Sequence, residues 1–133
     1  MLYDTVDRTT VEKLVLEFYA VVLKDELVGP FFTRTLGENM DSGKWPSHLS
    51  TLKSFWLMMM NGEKNYGGDP LPAHAFLGQL TPEAFERWLE LFHQTLNRLF
   101  IPEIADRFYK KSEVIADQIM QFLEIGEYDE DED

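Results

Sequence analysis

Residues 81–100, TPEAFERWLELFHQTLNRLF, decide the fold class. Thr81 offers a capping hydroxyl, Pro82 a pre-set φ at the first helical position, and Glu83 a negative charge at the positive end of the helix dipole. Behind this start Phe85, Trp88, Leu89, Phe92, Leu96, Leu99 and Phe100 recur at helical spacing, with polar residues between them. At 1.5 Å per residue the stretch predicts a helix about 30 Å long, enough to cross a small domain. Pro102 stops it and opens a further periodic run, Ile104, Phe108, Ile115, Ile119 and Phe122, which reaches to about Glu124.

Upstream, Thr9-Thr10-Val11-Glu12 has the form of a capping box, and Val11, Leu14, Val15, Phe18, Tyr19 and Val22 predict a helix to about Lys24. Gly29-Pro30 reads as a break that delivers Phe31-Phe32 into a turn, with an irregular polar stretch as far as Gly43. The next helix is predicted from near Lys44, with Pro46 tolerated in its first turn and Trp45, His48, Leu49, Leu52, Phe55, Trp56 and Met59 along one stripe. Asn61-Gly62 ends it. Gly67-Gly68-Asp69-Pro70 and Pro72 predict a loop, followed by a short helix that carries His74, Phe76 and Leu77 before Gly78. Strand alternation is absent and no repeat period occurs, so the chain is expected to be all-α.

Composition narrows the function classes. A chain of 133 residues is a single-domain length. Aromatic residues make up 14%, more ring surface than ordinary aliphatic packing needs, which suits a flat apolar ligand as well as a ring-filled core. With no cysteine, disulfides, zinc–thiolate sites, iron–sulfur clusters and a catalytic thiol are excluded together. The net charge of −12 argues against nucleic acid as a partner, since no cationic surplus exists to displace counterions. Half of that charge lies in the last seven residues, six of them acidic. Residues 127–133 are therefore expected to be a self-repelling, disordered tail on a domain of residues 1–126. Met1-Leu2-Tyr3-Asp4 lacks a basic region followed by an apolar stretch, and no segment has the length of a membrane span. A cytoplasmic location is the expectation.

Without thiols, the three histidines are the natural metal ligands. His48 and His74 fall on different predicted helices with a glycine-rich loop between them that can fold one toward the other, and a haem fits between such helices. A lone histidine on an apolar face is more commonly a satisfied core residue than a ligand, and spacing alone leaves both readings open. His93 sits on the flank of its helix's apolar stripe, a boundary position. A zinc site built from all three would lack i, i+4 pairing. Gly37 to Gly43-Lys44 has the outline of a phosphate loop but one residue too many, with Trp45 where Ser or Thr must meet magnesium. Neither a nucleophile elbow nor a dinucleotide fingerprint occurs, and no carboxylate pair stands out from solvated faces.

Six pieces, in order and at near-matching separations, give the chain a family resemblance: Phe18-Tyr19 with Gly29-Pro30-Phe31-Phe32; Trp45-Pro46-Ser47-His48; Phe55-Trp56; Gly62-Glu63 to Tyr66; Pro70-Leu71-Pro72-Ala73-His74; and Phe85-Glu86-Arg87-Trp88. Over about Val11 to Leu123 the sequence resembles the truncated haemoglobins, and among them the bacterial group III type. The resemblance implies a short helical globin sandwich around one haem b, with His74 as the proximal ligand of the iron. It implies Tyr19, His48, Leu52 and Trp88 on the distal side, with Phe32, Phe55 and Trp56 packing around the haem. His93 has no role in it. Ser50 and Thr51 stand where related chains often carry a base for a haem propionate, and Lys53 is the nearest one.

The function so implied is binding of a diatomic gas, namely oxygen, nitric oxide or carbon monoxide, at a histidine-ligated iron. Several polar donors exceed what a simple carrier requires, so a haem enzyme that detoxifies nitric oxide or peroxide is the second reading; it would need a reductase partner that the sequence does not identify. A haem-free acidic helical interaction protein is the third.

Overall fold

The computed structural model describes residues 2–62 and 81–123. Five helices are found there: α1 (Arg8–Lys24), α2 (Gly29–Leu36), α3 (Trp45–Asn61), α4 (Pro82–Leu99) and α5 (Pro102–Leu123). Helix α1 packs against α2, α3 and α4, and α4 and α5 form a hairpin joined by Phe100-Ile101. Among the described residues the nearest thing to a strand is an isolated bridge between Tyr3 and Phe100. Its bonds, from Tyr3 N to Leu99 O at 2.7 Å and from Ile101 N to Tyr3 O at 3.0 Å, tie the N-terminal segment to the α4–α5 corner. No helix among the described residues is long and apolar enough to cross a membrane.

The helix starts follow from side chains that take up free N–H groups. In α1 the capping residue is Asp7, not the Thr9-Thr10 pair that the sequence suggested: its carboxylate accepts from Thr10 N at 2.9 Å, while its own N–H donates to Thr10 Oγ1 at 3.0 Å. Asp ranks with the strongest N-caps, and Thr10 fills the reciprocal position of the box instead. In α4, Thr81 Oγ1 accepts from Ala84 N at 3.1 Å, as expected. Helix α3 stops at Gly62, whose φ of 74° is the left-handed cap that glycine adopts without penalty.

Helix α2 replaces the turn expected at Phe31-Phe32 and the first part of the irregular stretch after it, while residues 37–44 remain irregular as expected. Proline in a first helical turn needs no N–H partner and has its φ already set, so the same dipeptide that breaks α1 starts α2. The turn that leads into α2 is held by Asp25, whose Oδ2 accepts from Leu27 N at 3.1 Å and Val28 N at 3.0 Å.

The core is a run of rings. Trp56 stacks on Phe92 at 5.4 Å between centroids, Phe18 meets Phe92 edge-on at 4.9 Å, and Phe108 meets Trp56 at 5.5 Å. Burying each phenylalanine contributes about 1.5–3 kcal/mol. At the α1–α2 corner the packing is tight enough to exclude a side chain: a Cβ on Gly29 would lie 2.9 Å from the main-chain oxygens of both Val22 and Leu23. Alanine normally favours a helix over glycine by about 1 kcal/mol. Gly29→Ala should nonetheless destabilise the protein by about 1–3 kcal/mol through that clash, seen as a lower urea midpoint at unchanged slope. A variant as stable as the parent would show that α1 and α2 separate freely.

Candidate functional site

Tyr19 is the centre of the candidate site. Its side chain is 4% exposed and its ring is met from two other helices and its own. Phe32 of α2 approaches edge-on at 5.5 Å, Trp45 of α3 at 5.7 Å, His48 of α3 at 6.0 Å, and its neighbour Phe18 at 4.7 Å. Trp88 of α4 packs on the other side of Phe18 at 5.6 Å, and its indole N–H faces the Tyr19 phenol closely enough to favour the ionised form. Helix α1 can make all these contacts because Phe18 and Tyr19 sit about 100° apart around its axis.

The polar atoms in this cluster have an uneven distribution of partners. Burial of Tyr19 pushes its phenol well above the ordinary tyrosine value, and the pull of Trp88 only partly offsets that, so the hydroxyl stays neutral and keeps its proton. Trp88 Nε1 is buried and makes no hydrogen bond. An indole nitrogen is a donor only, and in these apolar surroundings the acceptor it faces is the Tyr19 phenol oxygen, with which it does not close a full hydrogen bond. His48 is half-buried, with its Nε2 wholly shielded, and meets Trp45 edge-on at 5.5 Å. Leu52, one turn further along α3, is buried.

The structure thus brings Tyr19, Phe32, His48 and Trp88 together, with Leu52 one turn beyond His48. Phe55 and Trp56 lie further along α3, packed on each other at 5.3 Å, with Trp56 turned toward Phe92 and Phe108. His93 is exposed and stacks on Tyr109 at 4.1 Å, on the seam of α4 and α5. His74 and the acidic residues 127–133 lie outside the described residues. Among the described residues no three His, Asp or Glu side chains converge as a metal site. Lys53, the base nearest the candidate propionate position, reaches Glu12 of α1 at 3.8 Å.

One residue at this site went without a role in the sequence reading. Trp45 is fully buried between Tyr19 and His48, and its Nε1 donates to Gly37 O at 2.7 Å, which joins the start of α3 to the end of α2. Its place three residues before His48, on the same helix face, was the available signal.

The donor set suits a haem site with a gas ligand: an indole N–H short of a full hydrogen bond and a phenol held neutral, both buried among rings. Comparison with known proteins points the same way. The description of the bacterial-like globins matches residues 1–121. Over 123 residues the chain is 32% identical to the group 3 truncated hemoglobin of Campylobacter jejuni, which covers 92% of this chain and 95% of that protein. A crystal structure of group III truncated hemoglobin from Campylobacter jejuni matches with a TM-score of 0.80 at 32% identity, over 92% of this chain and 95% of that one.

The state of the Tyr19 hydroxyl is directly measurable. Because the fold favours the neutral phenol, its contribution to stability is complete below the ordinary tyrosine value and is lost as pH rises through the raised one. In an alkaline titration of the folded protein, Tyr19→Phe should remove no phenolate absorbance up to about pH 11, a unit above the ordinary value. A phenolate step near pH 10 that disappears in Tyr19→Phe would show instead that water reaches the ring.

Proposed function

We propose, since this chain belongs to the bacterial-like globin family, that it is a haem protein of the truncated group III kind, in which His74 would hold the iron of a haem b that takes a diatomic gas. When bound, the haem supplies the iron that takes the gas. The chain's own residues decide what happens to the gas afterwards. Tyr19 donates its phenolic proton to the ligand, Trp88 offers its indole N–H, and His48 stands on the α3 side of the same pocket. Phe32, Leu52, Phe55 and Trp56 give the cofactor its apolar surroundings.

The observation that carries this reading is the pair of buried donors, a Trp88 N–H that meets the Tyr19 phenol without closing a full hydrogen bond and a phenol that keeps its proton. A buried donor left unsatisfied costs about 1–3 kcal/mol, a penalty that a polar ligand in the pocket would relieve. A second reading, chemistry on nitric oxide or peroxide, draws on the same feature, because distal donors favour activation as well as retention. It requires a source of electrons, and turnover with a reducing system separates it from simple binding.

The absorption spectrum of the purified protein, reduced and then exposed to carbon monoxide, tests the reading. His74→Ala should lose the haem or bind it far more weakly, His48→Ala should retain it, and His93→Ala should leave it nearly unchanged. Haem loss in His93→Ala with a normal five-coordinate ferrous spectrum in His74→Ala would overturn the ligand assignment. Oxygen held in the pocket carries partial negative charge, and a hydrogen bond to a charged group is worth about 1.5–3 kcal/mol. Oxygen release should accordingly quicken roughly 10- to 150-fold in Tyr19→Phe, since each 1.4 kcal/mol is tenfold. Carbon monoxide, less polar when bound, should respond weakly. Equal changes for the two gases would point to a reshaped pocket rather than a lost donor.

A further inference from the structure

Three ion pairs among the described residues join different helices. Lys53–Glu12 at 3.8 Å and Arg98–Glu17 at 3.5 Å are long and largely exposed, the kind that contributes little. The third is built differently. Arg87 Nε of α4 donates to Asp25 Oδ1 at 2.8 Å, and the Asp25 side chain is only 9% exposed.

Asp25 serves three helices at once. Its N–H caps α1 by donating to Val22 O at 3.0 Å, and its main-chain oxygen accepts from Gly29 N at 3.0 Å. Its second carboxylate oxygen takes the N–H groups of Leu27 and Val28 at the start of α2. Burial alone would raise the carboxyl above its ordinary value, but the Val28 N–H, the Arg87 bond and charge, and the Leu27 N–H outweigh it and hold it below. On the other side, Arg87 also donates from Nη1 to Glu90 Oε1 at 2.8 Å, which fixes the guanidinium against its own helix. The helices so joined are those that carry Tyr19, Phe32 and Trp88, and Arg87 is the residue next to Trp88. Any slide or turn of α4 against the α1–α2 corner would therefore stretch this pair and move the indole in the same motion.

We propose that the Asp25–Arg87 pair is a positioning latch, which fixes how the Trp88 indole N–H faces the Tyr19 phenol and thereby sets the rate at which a gas ligand leaves the pocket. This rests on the gas-binding reading above. The pair touches no ligand itself and acts only through the two donors. A charge-assisted, part-buried contact suits the task because the planar guanidinium fixes direction as well as distance.

The test uses the haem-loaded protein and two readouts, oxygen and carbon monoxide release rates and the Nε1–H resonance of the Trp88 indole. Asp25→Asn keeps an oxygen for the Leu27 and Val28 N–H groups and removes the charge that holds Arg87. It should shift the indole resonance and change oxygen release by roughly three- to tenfold, with carbon monoxide little affected. Arg87→Met should reproduce this, and Arg87→Lys, which leaves the Asp25 caps untouched and keeps the charge, should restore part of it. With both donors removed (Tyr19→Phe, Trp88→Phe), Asp25→Asn should change release no further. A lowered thermal midpoint with the indole resonance unmoved and oxygen release within twofold of the parent would reduce the pair to a corner stabiliser and overturn the latch. So would an effect of the same size in the background lacking both donors. If Tyr19→Phe itself left oxygen release unchanged, the donor reading would fail, and the latch's control of release with it; an indole resonance that shifts in Asp25→Asn would then mark the failure as lying in the donors and not in the pair's hold on Trp88.

Discussion

Phe18 and Tyr19 are neighbours on one helix, and the turn between them sends their rings into two different halves of the molecule. Phe18 faces Trp88 and Phe92, from which the ring contacts continue through Trp56, Phe108 and Phe100 to Tyr3 near the N-terminus. Tyr19 faces Phe32, Trp45 and His48. Helix α1 must accordingly be flanked on several sides, and α2, α3 and α4 each supply rings to it. The rest of the arrangement, including the short α2 and the corner that delivers it, serves to bring those rings within reach.

Buried polar atoms are not treated alike throughout the core. Away from the contact of Trp88 with Tyr19, the buried hydroxyls bond back to their own helices, Thr95 to Leu91 O at 2.9 Å and Ser112 to Tyr109 O at 2.7 Å. Where Trp88 meets Tyr19, between the two halves, a buried indole N–H stops short of a full hydrogen bond and the phenol is held neutral by burial. Folded proteins satisfy nearly all buried donors, so an exception calls for a reason. Here its position, where Trp88 of α4 meets Tyr19 of α1, marks the place in the core at which packing and hydrogen bonding are not both satisfied.

Much of the fold was legible because its signals are local. Periodicity set α1, α3, α4 and α5 within a few residues, and the Thr81-Pro82-Glu83 start of α4 stands as read. Where the reading failed, two rules competed for one residue. Gly29-Pro30 ends a helix and also begins one, and the Asp25 carboxylate, four residues before Gly29, holds the turn between the two by accepting from Leu27 N and Val28 N. Asp7 displaced Thr9 and Thr10 as the cap of α1 for a similar reason: both patterns are acceptable, and the stronger acceptor wins. The site divides along the same line. Tyr19, His48 and Trp88 were found through family resemblance and belong to helices whose periodicity placed them inward. Trp45 was read only as one more apolar residue, since its bond to Gly37 O depends on where α2 ends. The Asp25–Arg87 pair spans 62 residues and leaves no trace in any local window.

Tyr19 and Trp88 are not interchangeable donors, and their pairing orders them. A tyrosine hydroxyl both donates and accepts, whereas an indole only donates. With the indole N–H directed at the phenol oxygen, the electrostatic sense of the contact is fixed: Trp88 leans on the oxygen and leaves the phenolic proton to point elsewhere. That pull withdraws charge from the oxygen and makes the hydroxyl a better donor, as in any chain of hydrogen-bonding groups. The contact stops short of a full hydrogen bond, so the indole remains available when another acceptor enters. A firmly bonded Tyr19–Trp88 pair would be more stable alone and a weaker receptor; one with no contact would let the phenol rotate. A contact short of a full bond would keep one donor aimed and the other in reserve, which makes that contact, and whatever maintains it, the feature on which the proposed site depends.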